Sequence, residues 1–301
     1  MGVKSEIATR AAELTSARVP YVHARVVLAE RPTSAKPGDE ALILADGTMI
    51  GFVGGSCAES TVRAQSLALL DSQESLVLRI CPVPEEQTEG KVTVHNPCLS
   101  GGTLEIFLEP MVPAPLITVV GDSPIARALI RIGEQMGYDL VSSTEVHGAA
   151  AVVIASHGRD EEEVLVAALQ VGTPYVGLVA SRKRGEAVLA TLDVCGSMKS
   201  QVQTPAGLDI GARTPEEVAL SILAEIIARR PRPSGRTFAS DSAAVASATS
   251  LDPVCGMTVA EVESSLHLDH EGGRVWFCGS GCLRAFAADP AAYIQQRTQN
   301  E

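Results

Sequence analysis

A chain of 301 residues is long enough for two or three domains with complete cores, and 46% hydrophobic with only 3% aromatic residues points to Ala/Val/Leu/Ile packing of the α/β kind rather than to disorder. A formal net charge of −12 argues against nucleic acid as a main partner, because phosphate contacts need concentrated Lys and Arg. No run approaches the roughly 20 apolar residues of a membrane span, and the N-terminus carries no apolar signal core, so a cytoplasmic location is expected, where seven cysteines serve as ligands, reactive thiols or small buried side chains rather than disulfides.

In chain order, an amphipathic opening helix over residues 1–14 is followed by strands expected at 21–30, 40–45 and 49–53, with Asp46-Gly47 as a turn. A helix over 58–70 follows Gly54-Gly55-Ser56-Cys57. Further strands are expected at 75–80 and 102–108, with the polar, proline-punctuated stretch 82–97 between them as a loop. After Pro110 the rhythm changes. Apolar strands at 116–120, 149–155 and 175–179 alternate with helices, which predicts a doubly wound parallel sheet. That block closes on a helix over 214–229, with Thr214 as N-cap, Pro215 at the first helical position and Glu216-Glu217 at the positive end of the dipole. Residues 231–250 form an expected flexible linker, because ten of the twenty are Ala or Ser and little apolar surface is present to offset ordering entropy. The expected organisation is therefore an N-terminal mixed α/β domain at 1–112, a Rossmann-like domain at 113–230, the linker, and an independent small domain at 251–301.

Chemistry-bearing residues concentrate in each block. In the last, Cys255, Cys278 and Cys282 with His267 or His270 can supply three thiolates and an imidazole, a ligand set for zinc or another thiophilic ion. A domain this small commonly needs such a staple; the plain alternative is a set of buried cysteines packed with Met257, Trp276, Phe277 and Phe286. In the second block a dinucleotide fingerprint would need glycines where Ser123 and Ala126 stand beside Gly121, so nicotinamide dinucleotide binding in the usual mode is not expected. Ser156-His157 and Ser181-Arg182, with Lys183 and Arg184, follow strands at the carboxyl edge of the sheet, where a phosphorylated anion would bind. In the first block Cys57 and Cys98 sit in glycine settings (Gly54-Gly55-Ser56 and Gly101-Gly102), and Cys57 opens a helix whose dipole favours a thiolate. Cys81 and Cys195 lack such settings.

The stretches Ile50–Glu59, Pro97–Pro110, Gly177–Arg184 and Pro205–Arg229 resemble the XdhC/CoxI family of molybdoenzyme maturation factors, over about residues 12–230. Departures are Gly121-Asp122-Ser123 in place of a more glycine-rich turn, and Ser56 inserted before Cys57. The resemblance implies a chaperone without turnover that binds and protects molybdenum cofactor, as molybdopterin or its dinucleotide form. It also implies assistance in sulfuration, with a cysteine desulfurase or other sulfur donor as partner. Insertion into an apo-molybdenum hydroxylase of the xanthine dehydrogenase or carbon monoxide dehydrogenase type would follow, and homodimerisation is expected. On that implication the cofactor contacts are Gly54, Gly55, Ser56, Cys57, Glu59, Cys98, Gly101, Gly102, Gly121, Ser156, His157, Ser181 and Arg182, with Cys57 and Cys98 near molybdenum and Ser181-Arg182 near the phosphate, between the two domains. The motifs D-P-V-C-G-M, W-F-C-x-x-x-C and A-F-x-x-D-P-x-x-Y resemble a YHS domain, which implies bound zinc or copper on Cys255, Cys278, Cys282 and His267, with His270 in reserve. Two other functions stay open: a nucleotide-dependent oxidoreductase using the Rossmann-like block, and a copper or zinc metallochaperone or sensor using the last.

Overall fold

A computed structural model describes residues 3–85, 90–96, 102–156, 158–230 and 248–297. The chain divides into two units, one made of Met1–Pro113 with Pro233–Glu301 and the other of Ala114–Arg232.

The first unit begins with α1 (Val3–Ser16), which buries Ile7 and Leu14 against Tyr21 and Leu42. Then come β1 (Tyr21–Glu30), β2 (Glu40–Leu44), β3 (Met49–Gly51), α2 (Ser56–Ser72), β4 (Leu76–Cys81), β5 (Lys91–His95) and β6 (Thr103–Met111). The Asp46-Gly47 turn joins β2 to β3 as expected: Gly47 takes φ +78°, and Asp46 Oδ1 accepts from the Thr48 amide at 2.8 Å. The sheet runs β3-β2-β1-β6-β4-β5, antiparallel except where β4 pairs in parallel with β5. Val62 and Leu69 on α2 pack on Val22, Val26, Leu78 and Ile106 of the sheet. Each such fully buried side chain contributes about 1.5–3 kcal/mol.

Two expectations change here. Part of the stretch 82–97 is not loop: Lys-Val-Thr-Val-His forms edge strand β5, its β-branched residues half-buried on a sheet that β4 extends outward. And α2 starts at Ser56 rather than Ala58, because Gly55 in extended conformation serves as the N-cap. That puts Cys57 at the second helical position.

The second unit contains β7 (Leu116–Val120), α3 (Pro124–Gln135), β8 (Asp139–Ser142), β9 (Ala151–Ile154), α4 (Glu161–Gln170), β10 (Val176–Leu178), α5 (Arg182–Thr191), α6 (Gly196–Lys199), β11 (Val202–Gln203) and α7 (Pro215–Arg229). All its strand pairs are parallel, in the order β11-β10-β9-β7-β8, so the doubly wound sheet is present and strand order reverses between β7 and β9. The capping residues of α7 act as expected. Thr214 Oγ1 accepts from the Glu217 amide at 3.2 Å, and the Thr214 amide donates to Glu217 Oε2 at 3.1 Å. Ile222 and Ile226 of this helix then pack with Ala126 and Leu129 of α3.

The C-terminal segment returns to the first unit. It forms β12 (Thr249–Leu251), β13 (Thr258–Ala260), β14 (Leu266–His270), β15 (Gly273–Phe277), α8 (Ser280–Ala288) and α9 (Pro290–Arg297). It is not the detached domain expected from its sequence. Ala260 and Val262 pack on Ala64, Leu67 and Leu70 of α2, and Ser264 Oγ donates to the Asp46 carbonyl at 3.2 Å. Strand pairing begins at Thr249, inside the last two residues of the expected linker, whose residues 231–247 lie outside those described.

Candidate metal and cofactor site

The N-terminus of α2 is built by two glycines with different tasks. Gly54 takes φ +145°, where an added Cβ would press on Ala58 and Leu104. Gly55 has nothing within 4 Å of its missing side chain, and as N-cap it offers no side-chain acceptor to the first amides of the helix. Cys57 therefore sits, half-buried, at an open positive helix end. Burial pushes the Arg63 pKa down, against the charge of Glu59 in the first turn of α2, and the Arg63 Nε donates to the Gly47 carbonyl at 2.8 Å.

Facing this helix end is the cysteine frame of the C-terminal segment. Asp252, only 1% exposed, organises it. Its Oδ1 accepts from the Val254 amide at 2.9 Å and its Oδ2 from the Cys278 amide at 2.8 Å, tying the Cys255 turn to the end of β15. The Gly256 amide closes the turn on the Asp252 carbonyl at 2.8 Å, at φ +74°. β15 delivers Cys278, and α8, starting at Ser280 behind the N-cap Gly279, delivers Cys282 on its first turn. Cys278 Sγ lies 3.5 Å from Cys255 Sγ, 3.7 Å from Cys282 Sγ and 4.0 Å from Cys57 Sγ.

Among the described residues, Asp252, Cys255, Cys278 and Cys282 place ligand atoms within 4.8 Å of one another. Neither histidine joins them, which corrects the expected ligand set. His267 opposes Trp276 across the β14–β15 pair, lies edge-on to its ring at 4.9 Å, and has Nδ1 2.9 Å from the Ser265 carbonyl. His270 stands edge-on to Phe286 at 5.5 Å. The thiols are strongly unequal. Hydrogen bonding from Cys278 draws the Cys255 thiol down against the effect of burial. Cys278 is pushed up by its contacts with Cys255 and Cys57 and by burial, and Cys282 is pushed up to about 12 by burial, then by the Asp252 and Cys255 charges. A thiophilic cation would displace the shared protons.

In the second unit the expected anion residues are differently employed. Gly121 (φ +106°) is needed because an added Cβ would lie 2.7 Å from the Ala155 carbonyl oxygen and from the Ser156 Cα, at the switch point between β7 and β9. Ser123 Oγ accepts from the Ala126 amide at 3.1 Å and so caps α3 where a pyrophosphate would bind. The buried Ser156 hydroxyl donates to the Arg159 carbonyl at 2.7 Å, and also reaches Glu161 Oε1 at 3.2 Å. Glu161 was not foreseen: as the first of three glutamates opening α4, it reads from sequence as an exposed helix-start residue. It is 1% exposed, accepts from the Gly158 amide at 2.7 Å and pairs with the Arg184 guanidinium. Ser181 caps α5 by accepting from the Arg184 amide at 3.4 Å, and Ser181 and Arg182 are exposed. In the first unit, Gly102 has its missing side chain's space taken by the Pro32 and Glu30 carbonyls. Cys98, Gly101 and His157 lie outside the described residues.

An N-terminal mixed sheet followed by a Rossmann-like unit defines the class of protein. The XdhC and CoxI family model matches residues 14–80, and the XdhC Rossmann domain model matches residues 117–226. The chain belongs to the XdhC and CoxI family; the C-terminal segment lies outside both matches. It is 26% identical over 254 residues to an uncharacterised Escherichia coli (strain K12) protein, YqeB, covering 73% of this chain and 46% of that protein. It is 35% identical over 83 residues to a Bacillus subtilis (strain 168) protein described as a probable xanthine dehydrogenase subunit, covering 28% of this chain and 24% of that one. The chain thus spans less than half the length of these curated relatives. A solved structure described as a xanthine dehydrogenase from Bacillus halodurans aligns with 78% of this chain and 98% of its own, at 16% identity and a TM-score of 0.35. No described helix is long and apolar enough to cross a membrane.

Proposed function

We propose that this chain is a maturation factor for a molybdenum hydroxylase of the xanthine dehydrogenase type, binding molybdenum cofactor and protecting it during sulfuration and transfer. Membership of the XdhC and CoxI family in both units is the observation that carries this reading. The residues at the start of α2 fit such a group: Gly55 leaves open space, the first helical amides have no side-chain cap, and Cys57 adds a soft donor. Ser181 and Arg182 offer an exposed hydroxyl and guanidinium for a phosphate. Gly102 and Gly121 are better explained by close backbone packing. When bound, the cofactor would supply a molybdenum centre able to carry a terminal sulfur; the chain's own residues would bind, orient and shield it.

Protein purified from a molybdenum-replete host should carry molybdenum and pterin, and Cys57→Ser or Cys98→Ser should retain less. Pterin missing from the wild type, or equal in all three proteins, would overturn the assignment. Sulfur donor, client enzyme and homodimer remain parts of this proposal. A second reading, metal handling by the C-terminal segment as a YHS domain, is favoured by the clustered Cys255, Cys278 and Cys282. A nucleotide-dependent oxidoreductase is disfavoured by the Ser123 cap and the tight approach of Gly121 to Ala155–Ser156.

A further inference from the structure

We infer that Cys57 is the fourth thiolate of a soft-metal site shared between α2 and the C-terminal segment, and that loading this site fastens the segment onto α2 and withdraws Cys57 from any cofactor. The assignment rests on thiol geometry and is independent of the maturation reading. Tetrahedral zinc with Zn–S bonds of ~2.3 Å places each sulfur ~3.8 Å from the other three; measured from one such corner, Cys278 Sγ, the Cys255, Cys282 and Cys57 sulfurs lie at 3.5, 3.7 and 4.0 Å. The carboxylate competing for the fourth position is already employed, because both Asp252 oxygens accept backbone amides that hold the frame together. The imidazoles are engaged elsewhere, His267 with Trp276 and His270 with Phe286.

The environment suits concentrated thiolate charge. Four thiols release their protons to solvent as one divalent cation binds, leaving two net negative charges. Both α2 and α8 begin at the cluster behind glycine N-caps, Gly55 and Gly279, that make no side-chain cap, so each brings the positive end of its dipole to it. The approach is close because Gly279 has no side chain: an added Cβ would stand 3.0 Å from Ser56 Oγ and 3.5 Å from Cys57 Sγ.

The test uses reduced, full-length, cofactor-free protein and Zn²⁺, with alkylation of each cysteine followed by mass spectrometry. Zinc should protect Cys57 together with Cys255, Cys278 and Cys282, while exposed Cys195 reacts equally with and without metal. Protection of the three C-terminal cysteines without Cys57, or no zinc binding, overturns the inference. As a second measurement, Co²⁺-loaded Cys57→Ser should lose about one quarter of the sulfur-to-cobalt charge-transfer intensity, one thiolate of four. Unchanged intensity in Cys57→Ser also overturns it. Pterin plays no part in either experiment, so failure here leaves the maturation reading standing, and failure of that reading leaves this site untouched.

Discussion

Glu161 shows how one buried carboxylate reassigns a cluster of cations. Burial alone would raise its pKa. The Arg184 guanidinium, the Gly158 amide and the Ser156 hydroxyl outweigh burial and hold it below the usual carboxylate range. A group depressed in the folded state adds stability above its unfolded pKa of about 4.3, and that stability is lost as pH falls through the lower folded value. Wild-type protein should therefore lose stability below about pH 4 more steeply than Glu161→Gln, as urea unfolding followed by circular dichroism across pH will read; parallel pH profiles would refute it. Gly121 belongs to the same loop cluster. Gly121→Ala forces a side chain into φ +106° and into 2.7 Å contacts with backbone, and should cost about 1–3 kcal/mol in the same assay.

At the scale of elements, legibility followed the range of the forces involved. The helix α7 was readable to the residue, because Thr214, Pro215 and Glu217 act on their own neighbours. The parallel sheet was readable from apolar strands alternating with helices. Strand β5 was not, since its half-buried pattern acquires meaning only beside β4. The cysteine frame was visible, but Asp252 stood unnoticed inside D-P-V-C-G-M, because its work is to accept the amide of Cys278. Nothing local brings Cys57 to Cys278, 221 positions away. That meeting depends on β13 lying on α2, where Leu67 packs with Ala260. Leu67→Ala should loosen this contact by about 2–5 kcal/mol. The chain's single tryptophan, Trp276, is buried in the C-terminal segment, so its emission should shift to the red at lower urea than in wild type; coincident transitions would show that the contact contributes little.

For the whole molecule, the first unit is assembled from two stretches of chain that flank the second in sequence. A metal held across α2 and the C-terminal segment stabilises the state that binds it by about 2.7 kcal/mol when free metal is a hundredfold above its dissociation constant. Zinc should accordingly move the Trp276 transition to higher denaturant, and chelation should reverse the shift. A transition indifferent to both would mean that the segment docks by packing alone.

The docking of β13 on α2 also carries a consequence in time. On a ribosome adding about 5–20 residues per second, Ala260 follows Leu67 by roughly 190 residues, or about 10–40 s. Throughout that interval the Ala64–Leu67 face of α2 and the Cys57 thiol are made but uncovered, a window in which a chaperone, an oxidant or a passing metal ion meets them before the protein's own last strands do.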